Sequence, residues 1–222
     1  MSITIEKNGA YYVLTMQNEG KFNPASLAAF NAALDAAEND DTAAALLITG
    51  EDKTFAQGLD LSYLGSVDFP QALKFVDQCM FMIGRLLQFS VPVVSAVNGH
   101  AFGLGAMIML GSDYRVMRND RGYFCLPEVD LNMVLPASMN ALVKGKMSGA
   151  LLRDTLLAGA RLNATQLLAG GLIDQSCSET DLINRAMSVS EPMQGKDRAT
   201  LSGLKAGVNS EIITAIEAQR EA

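Results

Sequence analysis

The segment that decides the fold is Val93-Val94-Ser95-Ala96-Val97-Asn98-Gly99-His100-Ala101-Phe102-Gly103-Leu104-Gly105, which continues into Ala106-Met107-Ile108-Met109-Leu110. Its first five residues are apolar or small, which is typical of a strand covered on both faces. The glycines that follow mark a turn, and the second apolar run indicates a buried helix. The segment therefore predicts a strand, a turn and a helix that is entered directly from a glycine-containing turn.

The same order of elements occurs earlier in the chain. An apolar run over 45–49 predicts a strand, and Phe55-Ala56-Gln57-Gly58-Leu59-Asp60-Leu61 predicts a second glycine turn. A helical stripe follows over 70–88, and a further strand is expected over 114–117. This alternation predicts an α/β architecture of stacked strand-strand-helix units, although periodicity alone does not separate a coiled superhelix from an open doubly wound sheet.

The ends of the chain differ in character. Asn8-Gly9 lies between two short β-rich runs and predicts an N-terminal hairpin, and Asn23-Pro24 is typical of a helix start. From residue 136 onward the pattern is helical, with a capping box at Asn163-Ala164-Thr165-Gln166 and two or three further helices at the end. Because no linker composition interrupts the chain, we predict a core over 1–190 and a short C-terminal helical extension over 191–222, packed on the same domain.

Composition excludes some classes of function. The 222 residues include 17 Lys and Arg against 24 Asp and Glu, which gives a net charge of −7. Such a chain is not expected to bind the phosphate backbone of a nucleic acid. A few local Lys or Arg side chains could still bind one phosphorylated small molecule, since they act independently of net charge.

The cysteines and the N-terminus bear on location. Cys79, Cys125 and Cys177 lie far apart without a metal-binding spacing, so neither a metal site nor a disulfide framework is predicted. Residues 1–7 lack a basic region followed by a long apolar run, and no stretch predicts a membrane span. We therefore predict a reducing, cytoplasmic setting.

The two glycine turns suggest a site for an oxyanion. Backbone N–H groups at the start of a helix have no partner within that helix and lie at the positive end of its dipole. The expected donors are the amides of Leu59 and Leu104, and Gly58, Gly103 and Gly105 allow a substrate to approach the backbone closely. Taken singly, each turn is also compatible with a purely structural role.

One acid follows the second turn without an obvious partner. Glu128 occurs in Leu126-Pro127-Glu128-Val129-Asp130-Leu131, far from any His or Cys motif. An acid beside an oxyanion site suggests proton transfer on a substrate, whereas the alternative is a solvated turn residue. His100, the only histidine, could contact substrate or pack the loop, and Asp60 fits a helix cap better than a base.

Together these segments resemble the crotonase, or enoyl-CoA hydratase/isomerase, family. Residues 55–61 resemble its first oxyanion-hole segment, 96–105 its second, and 126–128 the segment with a catalytic glutamate. Residues 163–174 are similar to the helix and strand that follow in the family. The resemblance implies a stacked ββα superhelix with a C-terminal helical region, assembled as a homotrimer or a dimer of trimers.

The resemblance also implies an acyl-CoA substrate. The thioester carbonyl oxygen would accept hydrogen bonds from the amides of Leu59 and Leu104, and an enolate would form there. Coenzyme A would be present only as part of the substrate, with no permanently bound cofactor and no metal. Substrate contacts are expected at Lys21, Phe22, Ala56, Gly58, Asp60, His100, Gly103 and Pro127.

The chain departs from the hydratase pattern at Met107. Hydratases of this family commonly use two glutamates, and Met107 stands where the first is expected. A thioether cannot transfer a proton, whereas one acid at Glu128 suffices to shift a double bond within a substrate. The sequence is therefore most similar to the Δ3,Δ2-enoyl-CoA isomerases, with Glu128 expected among apolar side chains such as Met107, Leu126 and Val134, where its pKa would rise.

Other functions stay open at this point. Another reaction of the same enolate, such as hydration, thioester hydrolysis or decarboxylation, could proceed with Asp130 or a bound water. A noncatalytic acyl-CoA-binding scaffold is a further alternative, because Gln57 and Leu59 are bulkier than the small residues often found in the first turn.

Overall fold

The computed structural model describes residues 2–219, which form eleven strands and ten α-helices. The strands are β1 (Ile3–Asn8), β2 (Tyr11–Met16), β3 (Lys21–Phe22), β4 (Ala45–Gly50), β5 (Thr54–Ala56), β6 (Gly58–Leu59), β7 (Val93–Val97), β8 (His100–Phe102), β9 (Tyr114–Arg118), β10 (Phe124–Cys125) and β11 (Gln175–Cys177). The helices are α1 (Pro24–Glu38), α2 (Leu61–Leu64), α3 (Phe69–Leu87), α4 (Leu104–Gly111), α5 (Ala137–Lys146), α6 (Gly149–Ala158), α7 (Ala164–Ala169), α8 (Leu182–Ser190), α9 (Arg198–Val208) and α10 (Ser210–Ala218).

Two helix starts follow the predicted local chemistry. The side chain of Asn23 accepts a hydrogen bond from Ser26 N at the start of α1, and Asn163 accepts one from Gln166 N at the start of α7. In turn, the side chain of Ser26 accepts a hydrogen bond from Asn23 N, and that of Gln166 accepts one from Asn163 N. Both helix starts are therefore capping boxes. The hairpin of β1 and β2 around Asn8-Gly9 is also confirmed.

The large sheet has six strands in the order β1-β2-β4-β7-β9-β11. The first pair is antiparallel and every later pair is parallel. The central strand β7 is buried along its whole length, which explains its continuous apolar sequence.

A small parallel sheet, in the order β10-β8-β5, lies beside the large one. The chain places β4, β7 and β9 in the large sheet and the next strand of each unit, β5, β8 and β10, in the small sheet. Each pair then leads to helices, first α2 and α3, then α4, then α5. Strands that alternate between two sheets form a stacked ββα superhelix rather than an open doubly wound sheet, so the expected architecture is confirmed.

The C-terminal helices pack on this core. Helix α10 contacts α5 and α3, and α8 covers β7 and β9. The predicted division at residue 190 stays a prediction, and residues 220–222 of the predicted extension lie outside the described residues.

None of the helices in the described part is both long and apolar enough to cross a bilayer. The three cysteines are free and buried.

Candidate active site

The two glycine turns lie against each other. Strand β5 pairs with β8 in parallel, with Ala56 opposite Ala101. A Cβ added to Gly58 would lie 2.9 Å from Leu104 N, and one added to Gly105 would lie 2.3 Å from the carbonyl oxygen of Ala56. Gly58 also has a φ of +104°, which side chains rarely adopt. The turns are thus in direct backbone contact, and these glycines are required for it.

The second turn presents backbone amides at a helix start. Leu104 is the first residue of α4. The cap residue before it is Gly103, with a φ of +50°, which has no side chain that could accept from the first amides of the helix. The amide of Leu104 has no partner within the helix, because the first helical hydrogen bond runs from Met107 N to Gly103 O. This end of α4 therefore offers a donor and the positive end of the helix dipole.

The first turn is aligned by β3. Lys21 is opposite Gly58, and Phe22 is opposite Leu59 in the short parallel pair of β3 and β6. Phe22 is fully buried with its ring against Phe30, and its carbonyl oxygen accepts a hydrogen bond from Asp60 N at 2.8 Å. The Lys21 ammonium is half-exposed and pairs with Glu19. The structure thus brings Lys21, Phe22 and the two turns together.

Asp60 has a structural function. Its carboxylate accepts hydrogen bonds from Ser62 N at 3.0 Å and Tyr63 N at 3.2 Å, which caps α2 as the sequence suggested. The Tyr63 bond is the main reason that the pKa of this carboxyl lies below its usual value. The carboxylate already accepts two hydrogen bonds from the start of α2. A substrate that contacts Asp60 would therefore have to bind it while these two bonds are present.

Strand β10 immediately precedes the segment that contains Glu128, and it is hydrogen-bonded to the second glycine turn. Gly103 N donates to the carbonyl oxygen of Cys125 at 3.1 Å, three residues before Glu128. The Glu128 carbonyl oxygen then accepts from Leu131 N and Met133 N, and Pro127 accepts from Asp130 N. Glu128 therefore stands in a hydrogen-bonded turn whose preceding strand is tied to the second glycine turn. Sequence reasoning missed Cys125, because its role depends on the pairing of β10 with β8.

The carboxyl of Glu128 is poorly solvated. Its Oε2 is buried and has no hydrogen-bond partner within residues 2–219. Desolvation raises the pKa of this carboxyl, since burial penalises the charged form. Met107 and Leu126 are buried as expected, but the prediction for Val134 was wrong: its side chain is 91% exposed and excludes no water from the site.

Met107 lies in a helix that offers no titratable side chain. All eight residues of α4 are buried and none carries an acid or a base. Glu128 is therefore not matched by a carboxylate from this helix.

His100 is the first residue of β8. Its backbone N–H donates to Lys53 O, and its ring stacks on Tyr123 with centroids 5.7 Å apart. Burial, followed by the nearby charges of Arg161 and Arg121, lowers the pKa of the imidazole. Sequence reasoning missed Arg121 and Arg161, because they come close to His100 only through the tertiary fold.

Comparison with known proteins agrees with this geometry. The model of the enoyl-CoA hydratase/isomerase family matches residues 6–222. Enoyl-CoA delta isomerase 3 of Arabidopsis thaliana is 32% identical over 203 residues, covering 87% of this chain and 85% of the relative. A mitochondrial enoyl-CoA hydratase of Pongo abelii is 26% identical and is covered over 61% of its length, against 81% of this chain.

Solved structures show the same architecture. An apo enoyl-CoA isomerase of Mycobacterium tuberculosis superposes with a TM-score of 0.88 at 26% identity, covering 98% of this chain and 95% of that one. The fold expected from the sequence is thus confirmed by independent structures. The relatives include proteins named peroxisomal and mitochondrial, so the predicted cytoplasmic location stays a prediction.

Proposed function

Because this chain belongs to the enoyl-CoA hydratase/isomerase family, we propose that it is an enoyl-CoA isomerase that converts 3-enoyl-CoA to 2-enoyl-CoA. The observation that carries the proposal is the solitary Glu128, whose buried Oε2 lacks a partner and whose preceding strand is bonded to the second glycine turn. Met107 supplies no second proton carrier from α4.

The proposed reaction moves one proton within the substrate. The carboxylate of Glu128 takes a proton from C2, and the C–H electrons pass through the new C1–C2 double bond to the thioester oxygen. The amides of Leu59 and Leu104 hold the resulting dienolate, as preorganised donors stabilise charge that develops in a transition state. Glu128 then returns the proton to C4, which takes up the C3–C4 π electrons. The C1–C2 π electrons form the C2–C3 double bond, the thioester carbonyl re-forms and the carboxylate is regenerated.

The environment of Glu128 suits this chemistry. A carboxyl with a raised pKa is a stronger base toward the weakly acidic C2 proton and still releases it to C4. A desolvated site also disfavours water as a competing nucleophile. The exclusion of water supports isomerisation over hydration, whereas the raised pKa suits proton transfer in either reaction.

Coenzyme A enters this proposal only as part of the substrate. The pairing of β3 with β6 supports contacts to Lys21 and Phe22, and the close turns support contacts to Ala56, Gly58 and Gly103. Pro127 would contact substrate beside Glu128. No resident metal or prosthetic group takes part in the proposed steps.

The test is direct. Conversion of 3-enoyl-CoA to the conjugated 2-enoyl-CoA creates ultraviolet absorbance, and we expect Glu128→Gln to slow it by about 10²- to 10⁴-fold, the usual contribution of general acid–base catalysis. Acyl-CoA binding, measured by calorimetry, should persist. Asp130→Asn is the matched control, because this exposed carboxylate lies two residues away and should leave turnover unchanged.

Each alternative has its own outcome. Equal turnover in Glu128→Gln would remove that residue from the mechanism, and a loss confined to Asp130→Asn would transfer the role. Rapid addition of water to 2-enoyl-CoA would favour a hydratase. Binding without turnover of any acyl-CoA would favour a scaffold.

A further inference from the structure

A separate cleft opens beside the start of β8. It has a volume of about 320 Å³, and its walls include His100, Asn119, Arg121, Tyr123 and Thr165. Of the predicted substrate contacts, only His100 borders it. The cleft is therefore formed mainly by the turn over 119–123 and by the segment that begins α7, neither of which the proposed isomerase mechanism uses.

Two arginine charges lie close to the histidine of this cleft, in a protein with a net charge of −7. The charges of Arg161 and Arg121 both act on His100. Asp120 also lines the cleft and its charge acts on Arg121, but its two carboxylate oxygens accept from Arg118 Nε and Nη2 at 2.8 Å each. Arg121 forms no ion pair with any residue in the described part of the chain. The guanidinium of Arg121 is thus not held in a direct ion pair by the described residues.

The turn that carries Arg121 is held in place. Gly122 has a φ of +96°, and a Cβ added there would lie 2.5 Å from the carbonyl oxygen of Gly99. Ala101 N donates to Tyr123 O at 2.9 Å, and the rings of His100 and Tyr123 stack. A binding site held by backbone contacts loses little conformational entropy on binding, which favours affinity.

The donor chemistry fits an oxyanion. A guanidinium presents paired N–H groups that match phosphate oxygens, and the side chains of Tyr123, Asn119 and Thr165 add further donors. The Nδ1 of His100 is also buried without a hydrogen-bond partner among residues 2–219, so this nitrogen is available for a hydrogen bond. We propose that this cleft binds a phosphate-type oxyanion at a site separate from the one that contains Glu128.

The chain contains its own reporter. His100 is the only histidine, so protein prepared without a histidine tag shows a single pair of imidazole resonances. Inorganic phosphate, titrated against chloride at constant ionic strength, should shift these resonances along a saturating curve. Arg121→Ala should weaken the apparent affinity by about tenfold or more, as loss of a charge-assisted contact does. Arg153→Ala is the control, because that exposed arginine pairs with Asp154 on α6.

Two outcomes would overturn the site itself. One is a shift that grows linearly with phosphate, and the other is an equal response in wild type and Arg121→Ala. Neither bears on isomerisation, which is measured by absorbance and depends on Glu128.

Competition between inorganic phosphate and coenzyme A distinguishes a free phosphate from a phosphate of the substrate. Coenzyme A carries phosphates of its own, so it is added to protein already saturated with inorganic phosphate. Independent binding of the two supports a separate site for a free or small-molecule phosphate. Displacement of phosphate by coenzyme A, but not by pantetheine, would overturn that separation and assign the cleft to the substrate.

Discussion

At the scale of single residues, Glu128 makes the rate depend on pH in a defined direction. The proposed base works only as a carboxylate, and desolvation raises its pKa above the ordinary value of 4.5. We therefore expect kcat/KM for isomerisation to fall as the pH drops through this raised pKa, while the fall begins at a higher pH than for an exposed glutamate. A pH–rate profile measures it, and a profile flat down to pH 4.5 would contradict the role.

The same shift affects stability. A carboxyl whose pKa is higher in the folded than in the unfolded state binds its proton more tightly when folded, so its favourable contribution is present below the unfolded pKa and is lost as pH rises through the folded pKa. Glu128→Gln cannot lose a proton. We expect the variant to melt at a higher temperature than wild type near pH 7, with a smaller gain near pH 4.

Gly105 provides a second prediction at this scale. An alanine Cβ would lie 2.3 Å from Ala56 O and 2.7 Å from Ala56 Cβ, so the two glycine turns would have to separate. We expect Gly105→Ala to destabilise the fold by about 1–3 kcal/mol, as overpacking does, and to reduce turnover. Denaturant unfolding and the absorbance assay measure the two effects.

The control is Gly203→Ala in α9, where an added Cβ meets nothing within 4 Å. There the loss of glycine flexibility should stabilise the helix by about 0.5–1 kcal/mol. Equal effects at both positions would show that the contact between the turns is not sensitive to volume.

At the scale of elements, a buried ion pair attaches α9 to the core. Lys205 is 6% exposed, and its Nζ donates to Asp113 Oδ2 at 2.6 Å, while the same oxygen accepts from Val93 N. Lys205→Met leaves Asp113 charged and partly buried, so we expect a loss of about 3–5 kcal/mol in the free energy of unfolding. Adding Asp113→Asn should recover part of it.

Lys144→Met is the comparison, because Lys144 is an exposed lysine on α5 and should change stability by less than about 0.5 kcal/mol. If Lys205→Met is as mild as this control, the pair does not hold the C-terminal helices in place.

Local elements could be predicted from the sequence, whereas contacts between distant segments could not. The caps at Asn23 and Asn163, and the hairpin at Asn8-Gly9, depend on residues within three positions, so local chemistry predicts them. The pairing of β5 with β8 joins residues far apart in the chain, and only the family resemblance suggested that the two turns meet. Val134 was misplaced for a different reason: apolar character alone does not determine whether a loop side chain is buried or exposed.

At the scale of the whole molecule, one face of α9 bears on assembly. Leu204 and Val208 are four residues apart on this helix and are 65% and 85% exposed. Neighbouring exposed apolar side chains are uncommon on a monomer surface and mark contact sites. We therefore predict that this face is buried between subunits if the chain assembles as the homotrimer, or dimer of trimers, that the resemblance to the family implies.

The prediction concerns mass in solution. Val208→Arg places a charge in the proposed interface, where desolvation without a partner is unfavourable, so we expect the variant to run as a smaller species in light scattering coupled to size exclusion. Circular dichroism should show that it stays folded. Ala199→Arg is the matched control, because it adds the same side chain at an exposed position on another face of α9 and should leave the mass unchanged. If both variants keep the wild-type mass, this face of α9 is not a contact between subunits.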